Sequence, residues 1–111
     1  MSHAAMSSVF RALADPTRRG VIERLSRSPA AVSELAEPYA MALPSFLQHL
    51  KVLEDCGLVR SQKRGRVRTY RLLPRRLERA EGWLAQHPLT ARELECEQEM
   101  LGRLDLALSI S

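Results

Sequence analysis

At 111 residues, with a net charge of +4, the chain has room for one domain with a small core. Its 45% apolar and 27% charged residues are the balance of an ordinary globular chain, and no apolar run is long enough to span a membrane. Aromatics are only 5%, and Leu and Ala dominate the apolar set, which favours helices over a sheet-rich fold.

The first predicted element is a helix on which Met6, Val9, Phe10 and Leu13 share one face. Asp15-Pro16 then supplies an N-cap and a proline suited to a first helical turn. The second helix is predicted to run to about Arg27, with Val21, Ile22 and Leu25 inward. Gly20 inside it costs about 1 kcal/mol relative to alanine, which suggests a close packing contact there. Ser28-Pro29 breaks the chain. A short third helix, 31–37, carries Val32 and Leu35, and Pro38-Tyr39 ends it.

The fourth helix is predicted from Leu43, with Pro44 in its first turn, to about Cys56. Phe46, Leu47, Leu50 and Leu53 form its expected buried stripe, and Gly57 suits the position just beyond its end. Residues 58–63 and 66–72 alternate around Arg64-Gly65 as a β-hairpin should. Tyr70 and Leu72 are expected to face the core and Thr69 and Arg71 the other way. Pro74 opens a fifth helix to about Gln86, with Leu77, Ala80, Trp83 and Leu84 inward. After His87-Pro88, Thr90-Ala-Arg-Glu93 reads as a capping box for a last helix carrying Leu94, Leu101, Leu104 and Leu108.

Charge divides the chain. From Arg60 to Arg79 there are nine cations and a single acid, Glu78. From Glu81 onward six acids face only Arg92 and Arg103. A basic middle and an acidic end imply a nucleic-acid surface and a separate partner surface.

The order helix, helix, short helix, helix, hairpin is that of a winged helix-turn-helix, mainly α with a small β-hairpin. Burying one face of the fourth helix leaves Ser45, Gln48, His49 and Lys51 for a duplex. Gln48 can bond bidentately to adenine, and Ser45 and His49 can reach base edges or phosphates. Lys51 suits phosphate. Lys63, Arg64, Arg66 and Arg68 form a wing that can neutralise backbone charge or enter a minor groove.

The segments FRALADPTRRGVIERL, SELA, LPSFLQHLKVLEDCGLV and KRGRVRTYRL resemble the ArsR/SmtB-type winged-helix repressors, over about Val9 to Trp83. The resemblance implies a homodimer that binds a palindromic operator on double-stranded DNA and represses transcription until a signal releases it. It also implies that the terminal helices, about 5–14 and 75–108, form the dimer interface. The family's thiolate metal site lies on the third helix around Cys-x-Cys. Here that stretch reads Val32-Ser33-Glu34-Leu35-Ala36. The other family site would need ligands that Glu78, Glu81 and His87 do not supply at the right spacing. No metal and no cofactor is therefore expected, and the chain resembles the branch lacking those sites. Family members often carry Ser at the position of Leu47 and Arg at that of Gln48, so the operator sequence does not carry over. A small-molecule or redox inducer is left unspecified.

Plainer roles stand beside these. His49 could serve packing, the basic run could be a solvated surface, and Trp83 with the leucines after it could be core or dimer interface. Two cysteines, Cys56 and Cys96, do not make a disulfide framework. Cys56 suits a small buried hydrophobe. A Cys56–Cys96 redox switch and a protein-interaction module built on the acidic helix are the alternative functions. His3, His49 and His87 have no nucleophile at a recognisable spacing, so no catalytic residues are expected. With no signal peptide read at the N-terminus, the expected compartment is the cytoplasm, at the nucleoid.

Overall fold

The computed structural model describes residues 3–87. Helices α1 (His3–Leu13) and α2 (Pro16–Leu25) come first, then strand β1 (Ala30–Ala31) and the one-turn helix α3 (Val32–Ala36). Helix α4 (Leu43–Asp55), the hairpin β2 (Val59–Arg64) and β3 (Val67–Leu72), and α5 (Pro74–Gln86) follow. The capping box at Thr90, Cys96 and the leucine stripe to Leu108 lie outside the described residues.

Local chemistry explains the boundaries. Asp15 sits in extended backbone, and its carboxylate accepts the Arg18 backbone N–H at 3.0 Å, with Pro16 beginning the helix. α2 ends two residues before the predicted Arg27. Pro29 disfavours helical backbone at Ser28, so the last turn unwinds before it. α4 closes in a Schellman motif. Gly57 adopts φ 77°, Leu58 N–H donates to Leu53 O at 3.0 Å, and Gly57 N–H donates to Glu54 O at 3.0 Å.

The sheet has the order β1-β3-β2, all antiparallel. β1 was not predicted. Ala30 and Ala31 have weak strand preference, and what makes them a strand is pairing with Tyr70 and Thr69, forty residues away in sequence. The hairpin register also differs from expectation. Arg64 pairs with Val67, so the two loop residues are Gly65 and Arg66 rather than Arg64 and Gly65. Gly65 has φ 61°, and a positive φ at the first loop position is the type II′ requirement.

One core joins all the helices to the sheet. Val9 and Ala12 of α1, Val21 and Leu25 of α2, Leu35 of α3, and Phe46, Leu50 and Leu53 of α4 are buried with Leu58, Val59 and Tyr70. Two expectations fail. Leu47 is 41% exposed. It lies about 100° around the helix from Phe46 and falls off the stripe set by Phe46, Leu50 and Leu53. Trp83 and Leu84 were expected inward, yet they are 38% and 54% exposed. α5 packs against α1, with Ala80 in the core and Leu77 half-buried against it. Phe10 meets the Trp83 ring edge-on at 5.9 Å. No helix among the described residues is long and apolar enough to cross a membrane.

Candidate nucleic-acid interface

The buried stripe of α4 dictates what its other side presents. Ser45, Gln48 and Lys51 are exposed, with Leu47 beside them. His49 is placed differently. It is half-buried on the flank of α4 that faces the start of α2, and its Nδ1 lies 3.2 Å from Arg18 Nη1. Guanidinium is only a donor, so in the neutral ring Nδ1 accepts and the proton sits on Nε2. Asp15 Oδ2 is 3.7 Å from the same Nδ1.

Arg18 is a fastener among three helices. Its Nε donates to Ala12 O at 2.8 Å and its Nη2 to Arg11 O at 3.3 Å. The Ala12 carbonyl at the end of α1 thereby gains a donor, the Arg11 carbonyl gains a second beside the Ala14 N–H, and the same side chain reaches α4 through His49. The Asp15 carboxyl is held below its ordinary value, chiefly by the Arg18 backbone N–H against a cost of burial, with the charge of His49, when its ring is protonated, and of Arg18 adding to this.

The hairpin sorts the wing cations by face, because cross-strand partners share a side of the sheet. Ser61 pairs with Tyr70 and Lys63 with Arg68, on the side that carries the buried Tyr70 ring. Arg60 pairs with Arg71, Gln62 with Thr69 and Arg64 with Val67, on the opposite side. Arg66 occupies the turn. The four wing residues proposed from sequence therefore do not form one surface: Lys63 and Arg68 share a face, Arg64 lies on the other, and Arg66 is at the tip.

A relay ties the wing to α4. Arg68 Nη1 donates to Ser61 Oγ at 2.9 Å, and Ser61 Oγ donates to Glu54 Oε1 at 3.1 Å. A second clamp holds the end of α4 to α5, where Arg76 Nη1 donates to Cys56 O at 3.0 Å. Helix and wing are thus fixed relative to each other by side chains as well as by the core. Sequence reasoning missed both ties, and it missed the Arg60–Arg71 rung. Placing the turn one residue early put Arg60 opposite Thr69 and hid the arginine pair.

Cys56 is buried, with Sγ 3.4 Å from Leu53 O, and burial pushes its thiol up from the ordinary 9.0. That is the environment of an inert packed thiol. Its possible partner Cys96 lies outside the described residues. Among the described residues, no three His, Cys, Asp or Glu side chains are grouped to hold a metal ion.

A family model described as a helix-turn-helix domain matches residues 13–62. The chain is similar to the HTH-type transcriptional regulator Rv2034 of Mycobacterium tuberculosis, 46% identical over 59% of this chain and 61% of that one. It is similar to the HTH-type transcriptional regulator CmtR of Mycobacterium bovis, 35% identical over 78% of this chain and 73% of that one. In structure it is similar to the crystal structure of an ArsR family transcriptional regulator. The TM-score is 0.75 at 50% identity, over 78% of this chain and 90% of that one. The matched segment thus spans just under two thirds of the first of these proteins and more of the other two.

Proposed function

Because the chain belongs to the ArsR/SmtB family of helix-turn-helix transcriptional regulators, we propose that it is a homodimeric repressor of the cytoplasm that binds a palindromic operator. The observation that carries this reading is the joint presentation of α4 and the wing. Exposed Ser45, Gln48 and Lys51 lie on a helix whose opposite face is core, and the Arg68–Ser61–Glu54 relay holds the basic hairpin beside it.

In this reading α4 enters a major groove. Gln48 bonds the N6 and N7 edge of an adenine, Ser45 bonds a base edge or phosphate, and Lys51 meets phosphate. His49 acts chiefly through position, since its Nδ1 is engaged by Arg18, and its Nε2–H is the donor it offers to DNA. Lys63, Arg64, Arg66 and Arg68 neutralise flanking phosphates. The partly exposed Trp83 and Leu84, with Phe10 of α1, are the seed of a dimer interface formed by the terminal helices. Two copies of α4 then address successive major grooves about 34 Å apart. A regulator of this kind performs no catalysis.

The test is fluorescence anisotropy of the purified protein on the duplex upstream of its own gene, with a scrambled duplex of equal length. The expected result is saturable binding at least about 10³-fold tighter on the upstream duplex at physiological salt. Equal affinity for both duplexes overturns the reading.

A further inference from the structure

The outer face of the wing carries an arginine pair that the contacts proposed for DNA do not include. Arg60 and Arg71 are directly opposed across β2 and β3, on the side away from Ser61, Tyr70 and the α4 relay. Side chains so opposed have Cβ atoms about 5 Å apart, and like charges at that spacing destabilise a sheet. No acidic residue occurs in the sequence between Asp55 and Glu78 to offset them. Neither arginine has an ion pair to a carboxylate among the described residues. The next rung on the same face is Gln62 with Thr69. Arg60, Gln62 and Arg71, with Ser61 at the intervening position on β2, line a concavity of about 320 Å³, which adjoins one of about 240 Å³ lined by Gln62, Arg64, Thr69 and Arg71.

We propose that this face is an anion site for a phosphate group, with Arg60 and Arg71 as its paired cations and Gln62 and Thr69 as its neutral donors. The chemistry fits that ligand. Guanidinium forks bind phosphate oxygens bidentately, and an amide N–H and a hydroxyl complete the set of donors. An anion between the two arginines turns a repulsive rung into an attractive one. The phosphate belongs either to DNA backbone beyond the groove that α4 enters or to a free phosphorylated molecule. Arg60 and Arg71 are not among the contacts proposed for α4 and the wing, although Arg64, which is, lies on the same face, and the site does not depend on the operator sequence.

The experiment compares the whole protein with Arg60→Gln/Arg71→Gln and the two single variants. Thermal melts are recorded in low-salt buffer with sodium phosphate or pyrophosphate, against sodium chloride at matched ionic strength. The expected wild-type response is a saturable rise in Tm beyond that in chloride, absent from the double variant. In chloride alone the double variant should melt above wild type, because the repulsive rung is gone. A second arm measures the salt dependence of binding to a random duplex. If the phosphate is that of DNA, the double variant loses up to about 1.8 from the slope of log K against log salt. If it is that of a free ligand, the slope is unchanged while the phosphate-specific rise is lost. The proposal is overturned if phosphate acts no differently from chloride in wild type, or if the double variant retains the full response. Neither overturning result touches operator binding, which the upstream-duplex titration reads separately.

Discussion

The carboxylate of Asp15 that caps α2 also stands 3.7 Å from the His49 ring of α4. Asp15 thus starts the second helix, and through Arg18 it is linked to the helix proposed to read DNA. Arg18 completes the arrangement, giving its backbone N–H to Asp15 and its guanidinium to His49 and the end of α1.

Replacing this cap should therefore cost stability. Asp15→Ala is expected to lose about 1 kcal/mol at neutral pH, and Asp15→Asn, an equally good cap, much less. The sign of the pH dependence follows from the lowered carboxyl. Its stabilisation is present above the ordinary value of 3.8 and is lost as pH falls through the lower folded value. Denaturant melts at pH 7 and near pH 2 should show the gap between wild type and Asp15→Ala shrinking in acid. A gap that is constant with pH would mean the ionised cap contributes nothing.

Gln48 is exposed on α4 between Leu47 and His49 and is the side chain best suited to read a base. Gln48→Ala should flatten the preference for adenine at one position of each half-site, by about 1–3 kcal/mol. Titrating wild type and variant against operators substituted one base pair at a time locates that position. A uniform loss on operator and random duplexes would falsify base reading by Gln48.

The wing should act on every sequence alike. Arg66 sits in the two-residue turn and Arg68 is hydrogen-bonded to Ser61. Arg66→Ala/Arg68→Ala is expected to weaken operator and random DNA in proportion and to lower the salt slope by up to about 1.8. Anisotropy titrations from 50 to 200 mM salt measure it, and an unchanged slope takes these two residues out of the interface.

Much of this was legible in the sequence, for identifiable reasons. The helices α1, α2, α4 and α5 announced themselves by 3.6-residue periodicity and by Asp15-Pro16, Pro44, Gly57 and Pro74, which are local signals. β1 was not legible, because two alanines become a strand only through a partner forty residues on. The Arg60–Arg71 rung was hidden by a one-residue error in the turn, to which cross-strand pairing is acutely sensitive. The burial of His49 against Asp15 and Arg18 is tertiary, and no spacing rule reveals it. Leu47, Trp83 and Leu84 were misplaced because apolar character alone does not dictate burial; helix geometry decides which apolar side chains reach the core.

Gly20 had a signal of its own, as a costly residue in the middle of a helix, and the structure supplies the reason. A Cβ there would run into the hydroxyl of Tyr39, whose ring stacks on Phe46 at 5.6 Å. Tyr39 lies between α3 and α4, so the glycine lets the helix-turn-helix connection lie flat against α2. Helix propensity alone predicts that Gly20→Ala gains about 1 kcal/mol. The steric contact predicts the opposite, a net loss of about 1–3 kcal/mol as Tyr39 is pushed off Phe46. Tyr39→Phe removes the colliding oxygen and leaves the ring carbon beneath it at 3.3 Å, a tight but tolerable approach. Gly20→Ala should therefore be less damaging in the Tyr39→Phe background than in wild type. A double-mutant cycle by chemical denaturation measures that coupling, and additive effects would show that propensity rather than packing governs this position.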